Sequence, residues 1–220
     1  MNWKMFVESM FRGDVEVMQL VQRLIGYAIA GDKSLGIIPV FSTSSARSGV
    51  STFLEALKGV FGREMQIFYD HVIDIGSARQ RANPFALMLR EAKIVAFCGF
   101  GSTTRVNLVR QFKSLAACEM IQARVPYGKN QRFLNAATPF IVTNEPLPLA
   151  FRRDPALCER FVCIDLPGFY GTPDRDALLA IKSDPGAIVA WAAAGVRLWR
   201  EEGLTIPDRF RLPVAGRRAA

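Results

Sequence analysis

The sequence predicts an α/β fold built on a central parallel sheet, with a helical lead-in and a helical closing segment. Short apolar runs, each ending in small polar residues or prolines, alternate along the chain with stretches of helical periodicity. Several of these runs are nearly continuous in apolar residues, as strands buried on both faces are. Half of the residues are hydrophobic, enough to bury a core of that kind. The expected divisions are a lead-in at 1–34, a core at 35–170, and a helical segment with a basic tail at 171–220.

Residues 1–31 read as helical. Met5, Phe6, Met10 and Phe11 recur at helical spacing. After Gly13 and Asp14, one face carries Val17, Leu20, Val21, Leu24 and Ile25. LGIIPVFST at 35–43 reads as a strand feeding a loop, and STFLEALKGVFG at 51–62 as a helix stopped by Gly62. The stretch 63–92 gives no clear element until FALMLREA at 85–92, which reads as helical. KIVAFCGFG at 93–101 reads as a buried strand and VNLVRQFKSLAA at 106–117 as a helix. Residues 119–136 read as a hairpin turning at Pro126 to Asn130. PFIVTNEPLPL at 139–149 and RFVCIDLP at 160–167 are two further strands. The last helix spans 184–203, with Asp184 as cap, Pro185 at its first position and Gly203 past its end. Trp191 and Trp199 lie two turns apart on it and face the same way; with Trp3 they are expected in the core. Ala190 and Ala192 to Ala194 are expected to allow close packing of that helix.

The chain carries a net charge of +8, which suits a polyanion partner and equally a generally basic surface. Its four cysteines, Cys98, Cys118, Cys158 and Cys163, form no CxxC pair, and its one histidine is His71, so no metal site is expected. The longest apolar run, at 186–196, is too short to span a bilayer. No signal peptide is legible, and the chain is expected in the cytosol with reduced thiols and no membrane partner.

A phosphate loop follows a strand, opens a helix and reads GxxxxGK[ST]. Its backbone N–H groups and lysine neutralise phosphate oxygens, and its Ser/Thr holds magnesium. The corresponding octet here runs from Ser44 to Ser51. Gly49 and Ser51 fit that pattern, while Ser44 replaces the first glycine and Val50 the lysine. On these residues alone, an ordinary strand–loop–helix turn explains the octet as well.

An ordered series of segments resembles the superfamily-3 helicase domain of phage, plasmid and poxvirus-type primase-helicases. The lead-in carries Trp3, Gly13-Asp14, Gln22-Arg23, Gly26-Tyr27 and Gly31-Asp32 in the family's order. SSARSGVSTFL at 44–54 stands at its phosphate loop. Lys113, Ala116 to Glu119 and Arg124 precede the hairpin, FIVTNEPLP at 140–148 matches its sensor strand, and LCERFVCIDLP at 157–167 its arginine-finger segment. GAIVAWAAAGVRLWREEGL at 186–204 matches its closing helix. The resemblance covers about residues 3–208 and implies a P-loop NTPase core of the AAA+ kind. It further implies ATP and magnesium as cofactors, with Arg47, Gly49, Ser51 and Thr52 at the nucleotide. Asn144 would orient water or the γ-phosphate, and Arg160 would reach a neighbouring subunit's ATP. Lys113, Arg124, Lys129 and Arg132 would track single-stranded DNA, with Tyr127 and Phe133 as base-stacking rings. The implied partners are single-stranded DNA and other helicase or replication subunits, in a homo- or hetero-oligomer.

Three departures bear on hydrolysis: Ser44 and Ala46 stand at the loop glycines, where their side chains crowd the close backbone approach, and two charged groups are lost. Val50 removes the loop's positive charge, and KIVAFCG at 93–99 puts Gly99 where the family has a carboxylate. Losing both groups is expected to slow phosphoryl transfer by roughly 10³-fold or more. Arg47 is a candidate substitute for the lysine, and Asp70, Asp74 or Glu91 for the carboxylate. Simpler roles fit the retained residues too: a solvated hairpin tip for Lys129 and Arg132, a turn cap for Asn144, and a salt bridge to Asp165 or Glu159 for Arg160. Three functions follow: a non-hydrolysing helicase-like protein that binds single-stranded DNA in phage or mobile-element replication, an active helicase with unconventional residues, or an interaction protein that binds or poisons a replication helicase.

Overall fold

In a computed structural model, residues 2–43, 48–69, 84–99, 107–123, 129–168, 179, 181 and 183–212 are described. Arg47, Asp70, His71, Asp74, Arg124 and Tyr127 lie outside them.

The lead-in forms α1 (Trp3–Met10) and α2 (Val15–Ile29), each started by a side-chain cap. Asn2 accepts from the Met5 amide and Asp14 from the Val17 amide. Then follow β1 (Ile38–Thr43), α3 (Val50–Phe61), β2 (Met65–Tyr69), α4 (Pro84–Met88), β3 (Ile94–Cys98) and α5 (Asn107–Ala116). A hairpin, β4 (Met120–Ala123) and β5 (Gln131–Leu134), leads into β6 (Thr138–Thr143). Two short helices, α6 (Leu149–Arg152) and α7 (Pro155–Cys158), precede β7 (Phe161–Leu166), and α8 (Pro185–Glu202) closes the series.

The central sheet has five strands in the order β2-β3-β6-β1-β7, all parallel. Its side chains divide by strand period between two cores. Phe41, Ile94, Ala96, Phe140 and Val142 pack with α1, α2, α3 and α8 on one face. Ile38, Val40, Val95, Phe97 and Ile141 pack with α4, α5, α6, α7 and the hairpin on the other. Helices thus cover both faces, which is why the strands read as apolar runs.

The sequence expectations hold for the two lead-in helices, the hairpin and α8 with its Asp184 cap, Pro185 and Gly203. The strand expected at 35–43 begins only at Ile38, because Gly36 (φ 56°) turns the chain before it. The strand expected to 149 ends at Thr143, where a turn and two prolines lead into α6. The helix expected at 85–92 is the five-residue α4. β2, α6 and α7 went unforeseen.

α2 and α8 cross at two glycines. A Cβ on Gly195 would stand 2.1 Å from the Gln22 carbonyl oxygen, and one on Gly26 would stand 2.2 Å from the Gly195 carbonyl carbon. The close approach expected of the α8 alanines is thus made by Gly195, while Ala190 and Ala193 face outward. Trp3 is fully buried and stacks on Phe53. Trp191 meets both rings edge-on, and Trp199 packs edge-on to Tyr27.

Candidate functional site

The topology itself marks a crevice. From β1 the chain crosses to β2 at one edge of the sheet, and from β6 it crosses β1 to reach β7 at the other. Connections leaving adjacent strands in opposite directions open a cleft beyond their carboxyl ends. Thr43 and Thr143, the last residues of β1 and β6, stand there, with Ser42 and Thr143 in register. The helix that opens into this cleft is α3.

At the start of α3, Gly49 takes a left-handed conformation (φ 82°) that favours glycine. A side chain there would contact Phe6 and Met10 of α1. Val50 is only 6% exposed and belongs to the core that holds α1 and α3. This position therefore brings an isopropyl group into packing and no charge to the crevice. Ser51 is exposed and Thr52 half-buried on the first turn. At the end of β3, Gly99 is also left-handed (φ 77°) and contributes no carboxylate.

Asn144 is exposed just after β6. The turn there is closed by Thr143, whose hydroxyl donates to the Glu145 carbonyl at 2.7 Å and accepts from the Glu145 amide at 3.0 Å. Capping by Asn144 is thus corrected to capping by Thr143, and among the described residues the Asn144 amide has no hydrogen-bond partner. A carboxylate that went unforeseen at this end of the sheet is Asp165, to which Ser42 donates a hydrogen bond from the neighbouring strand. Asp165 and Asp14 share a cleft of about 530 Å³ with Arg12, Val17 and Pro167. Among the described residues, no three His, Cys, Asp or Glu side chains gather as a metal set.

The other end of the sheet gathers cations. Arg160 immediately precedes β7 and donates to the Gly36 carbonyl at 3.1 Å; a side chain on Gly36 would collide with its guanidinium. Neither salt bridge weighed for Arg160 forms, because Asp165 sits at the opposite end of β7 and Glu159 is exposed with no such contact. Lys33, not foreseen, donates to the carbonyls of Leu115 (2.8 Å) and Ala137 (2.6 Å), tying α5 to the start of β6. Burial lowers its pKa to about 8, and the Arg160 charge pushes the same way. Asn135, wholly buried, donates to the Leu115 carbonyl and accepts from the Ala137 amide, fixing the base of the hairpin.

Two hairpin cations stay in place. Lys129 is exposed next to the turn, and Arg132 projects from the outer face of β5 opposite Gln122. Lys113 does not join them. It lies on α5 and bonds Asp154 at 2.6 Å, and Asp154 also caps α7 through the Leu157 amide. Burial opposes ionisation of Asp154, but the Lys113 and Leu157 hydrogen bonds outweigh it and hold the carboxyl below the usual range. Phe133 packs against the second core and is not an open platform. Glu91, weighed as a rescuing carboxylate, sits before β3 at the end of the sheet away from the crevice and pairs with Arg90 and Arg63.

Known structures share this arrangement. The apo C-terminal region of NrS-1 superposes with a TM-score of 0.71 at 17% identity, over 93% of this chain and 48% of that one. A second form of the same region gives 0.70. The JCV helicase, in complex with a thiazolopyridine compound, gives 0.52 at 13% identity, over 89% of this chain and 59% of that one. The chain thus spans about half the length of the first of these neighbours. Neither a family model nor a curated relative matches the sequence. The fold, α/β with a central five-stranded parallel sheet, is the one these structures share. No helix among the described residues is long and apolar enough to cross a membrane.

Proposed function

We propose that this chain is a helicase-like protein that binds single-stranded DNA in phage or mobile-element replication without hydrolysing ATP. The observation that carries the reading is the burial of Val50. Where the resemblance calls for a lysine beside the triphosphate, the side chain is buried in the core that α1 and α3 share. Gly99 supports the same conclusion, since a left-handed glycine stands where a carboxylate would hold magnesium or the attacking water. These two positions do not fit a hydrolysing ATP–magnesium site, because positioned charge around the γ-phosphate is most of phosphoryl-transfer catalysis. Asp165 does not replace Gly99, as it lies on the far side of β1 from β3 and already accepts from Ser42.

The cations at the opposite end support the binding half of the reading. Lys129 and Arg132 stand exposed on a two-stranded ribbon, the shape and charge that contact a phosphate backbone without reading bases. Arg160, half-buried against the Gly36 carbonyl, lines a surface cleft at that end, where a partner helicase subunit in a homo- or hetero-oligomer would be met.

The test is ATP turnover by the purified chain with magnesium, with and without oligothymidine, beside oligothymidine affinity. Turnover at background, with binding that Lys129→Ala/Arg132→Ala abolishes, is expected. Turnover stimulated by DNA and lost in Arg160→Ala would instead make it an active motor. Capture of an intact helicase without any DNA binding would make it an interaction protein.

A further inference from the structure

We infer that the seam between α5 and α7 is a second contact surface for the phosphodiester backbone of single-stranded nucleic acid, leading onto the base of the hairpin. The inference rests on the single-strand binding proposed above and adds residues to it that the hairpin does not contain.

Two clefts follow one another along this helix pair. The first, about 510 Å³, is lined by Val109, Arg110 and Lys113 of α5 and by Arg153, Asp154 and Pro155. The second, about 540 Å³, is lined by Ala117 and Cys118 just past α5, by Ala156, Glu159 and Arg160, and by Lys33. Val109, Lys113 and Ala117 are spaced by four and so share one helix face. The clefts are therefore successive stretches of a single groove, roughly 12 Å long from Val109 to Ala117 at the helical rise per residue. Its lower end is the segment that enters the hairpin, where Lys33 and Asn135 hold the backbone.

The charge of this groove is one-sided. Arg110, Lys113, Arg153, Lys33 and Arg160 line it, against Asp154 and Glu159. Asp154 is spent on Lys113 and on the cap of α7. Arg110 and Arg153 are exposed and, among the described residues, form no ion pair. Two arginines left unneutralised across one groove suit a polyanion, and arginine presents donors that match phosphate oxygens. Packed helices stand about 8–10 Å apart at their axes with their side chains in contact, and Lys113 and Asp154 bridge the pair here, so a single strand would lie along the seam on its outer side and not pass between the helices. Its apolar walls, Val109, Ala150 and Pro155, offer no edge for reading bases, so the contact is to the backbone.

The experiment uses the full chain and fluorescein-labelled oligothymidine, followed by anisotropy over a salt series. The variants are Arg110→Glu/Arg153→Glu, the milder Arg153→Gln, and Lys129→Ala/Arg132→Ala, each checked for an unchanged melt. The double reversal is expected to bind about tenfold more weakly, with the salt slope reduced by about 1.4 for two lost phosphate contacts. Arg153→Gln should lose about half of that slope. A methylphosphonate oligothymidine, which lacks backbone charge, should bind wild type and double variant equally. Wild-type affinity and slope in the double reversal, with binding lost only in the hairpin variant, would overturn the seam and leave the hairpin reading standing. A change in oligomer mass with unchanged DNA affinity would overturn it in favour of a protein interface. No binding by the wild type would remove both readings.

Discussion

Replacing Gly195 by alanine tests the packing that holds the lead-in to the rest of the fold. In a free helix the change stabilises by about 1 kcal/mol, the difference in helix propensity. Here the added methyl would lie 2.1 Å from the Gln22 oxygen and 2.9 Å from its carbonyl carbon, both backbone atoms of α2. Neither can rotate away, so α2 and α8 must separate by about an ångström, a forced overpacking that costs typically 1–3 kcal/mol and occasionally more. Separation also stretches the hydrogen bond that the Gln22 side chain donates through Nε2 to the Trp191 carbonyl, 2.8 Å as it stands. The net expectation is a loss of about 2 kcal/mol, a fall of about 4–8 °C in melting temperature for a domain of this size. Gly59→Ala supplies the opposite sign. It lies inside α3 with nothing within 4 Å of the added methyl, so it should raise the melting temperature by about 2–4 °C. Both variants are followed by circular dichroism melts and urea midpoints. A Gly195→Ala protein at least as stable as wild type would refute the crossing geometry.

Four further outcomes follow from the same contacts. Val50→Lys should leave ATP turnover at background, because Gly99 still offers no carboxylate, and should destabilise by about 2 kcal/mol from lost packing and a desolvated amine; a melt and a phosphate-release assay check it. Lys33 has a folded pKa of about 8 against an ordinary 10.5, so the unfolded chain binds more protons between those values and stability should rise with pH across that window. Measured against Lys33→Met, the rise should reach at most ~3 kcal/mol; a difference that stays flat from pH 8 to 10.5 would contradict it. Lys33→Met itself leaves the Ala137 carbonyl without this donor and should cost about 1–3 kcal/mol at pH 7. Arg209, which pairs with Asp14 and Glu16 on the surface, should shift stability by under about 1 kcal/mol when changed to alanine, and by less in high salt.

What the sequence made legible is what repeats or carries a local mark. The hairpin announced itself through Pro126 to Asn130, and α8 through Asp184, Pro185 and Gly203, because caps and turns act over three or four residues. β2 did not, since MQIFY is a half-buried edge strand with neither clean alternation nor a full apolar run. α6 and α7 are single turns held by tertiary packing, below the length that periodicity detects. At the candidate site, the positions of Val50 and Gly99 were readable, but the burial of Val50 was not, because it depends on a core shared with α1, forty residues away. Lys113 was assigned by its place in the family's order of segments, whereas its partner Asp154 lies 41 residues on. Arg160 meets Lys33 and Gly36 only once β7 is placed beside β1. No spacing encodes that meeting.

The distribution of charge argues that the two ends of the sheet have been shaped by different demands. At the carboxyl end, an invading triphosphate would need a desolvated cation held ready, and a buried, unpaired ammonium costs stability in its absence. Valine at position 50 removes that cost and adds packing against the lead-in, so the fold gains where the chemistry would lose. At the amino end and on the hairpin, cations persist although they too carry a cost. Lys33 is half-buried with a lowered pKa, and Arg160 occupies space that only a glycine at position 36 leaves open. The single-strand binding proposed above accounts for these cations beside Arg110 and Arg153, which form no ion pair among the described residues, so oligonucleotide affinity tests that proposal more directly than nucleotide turnover does.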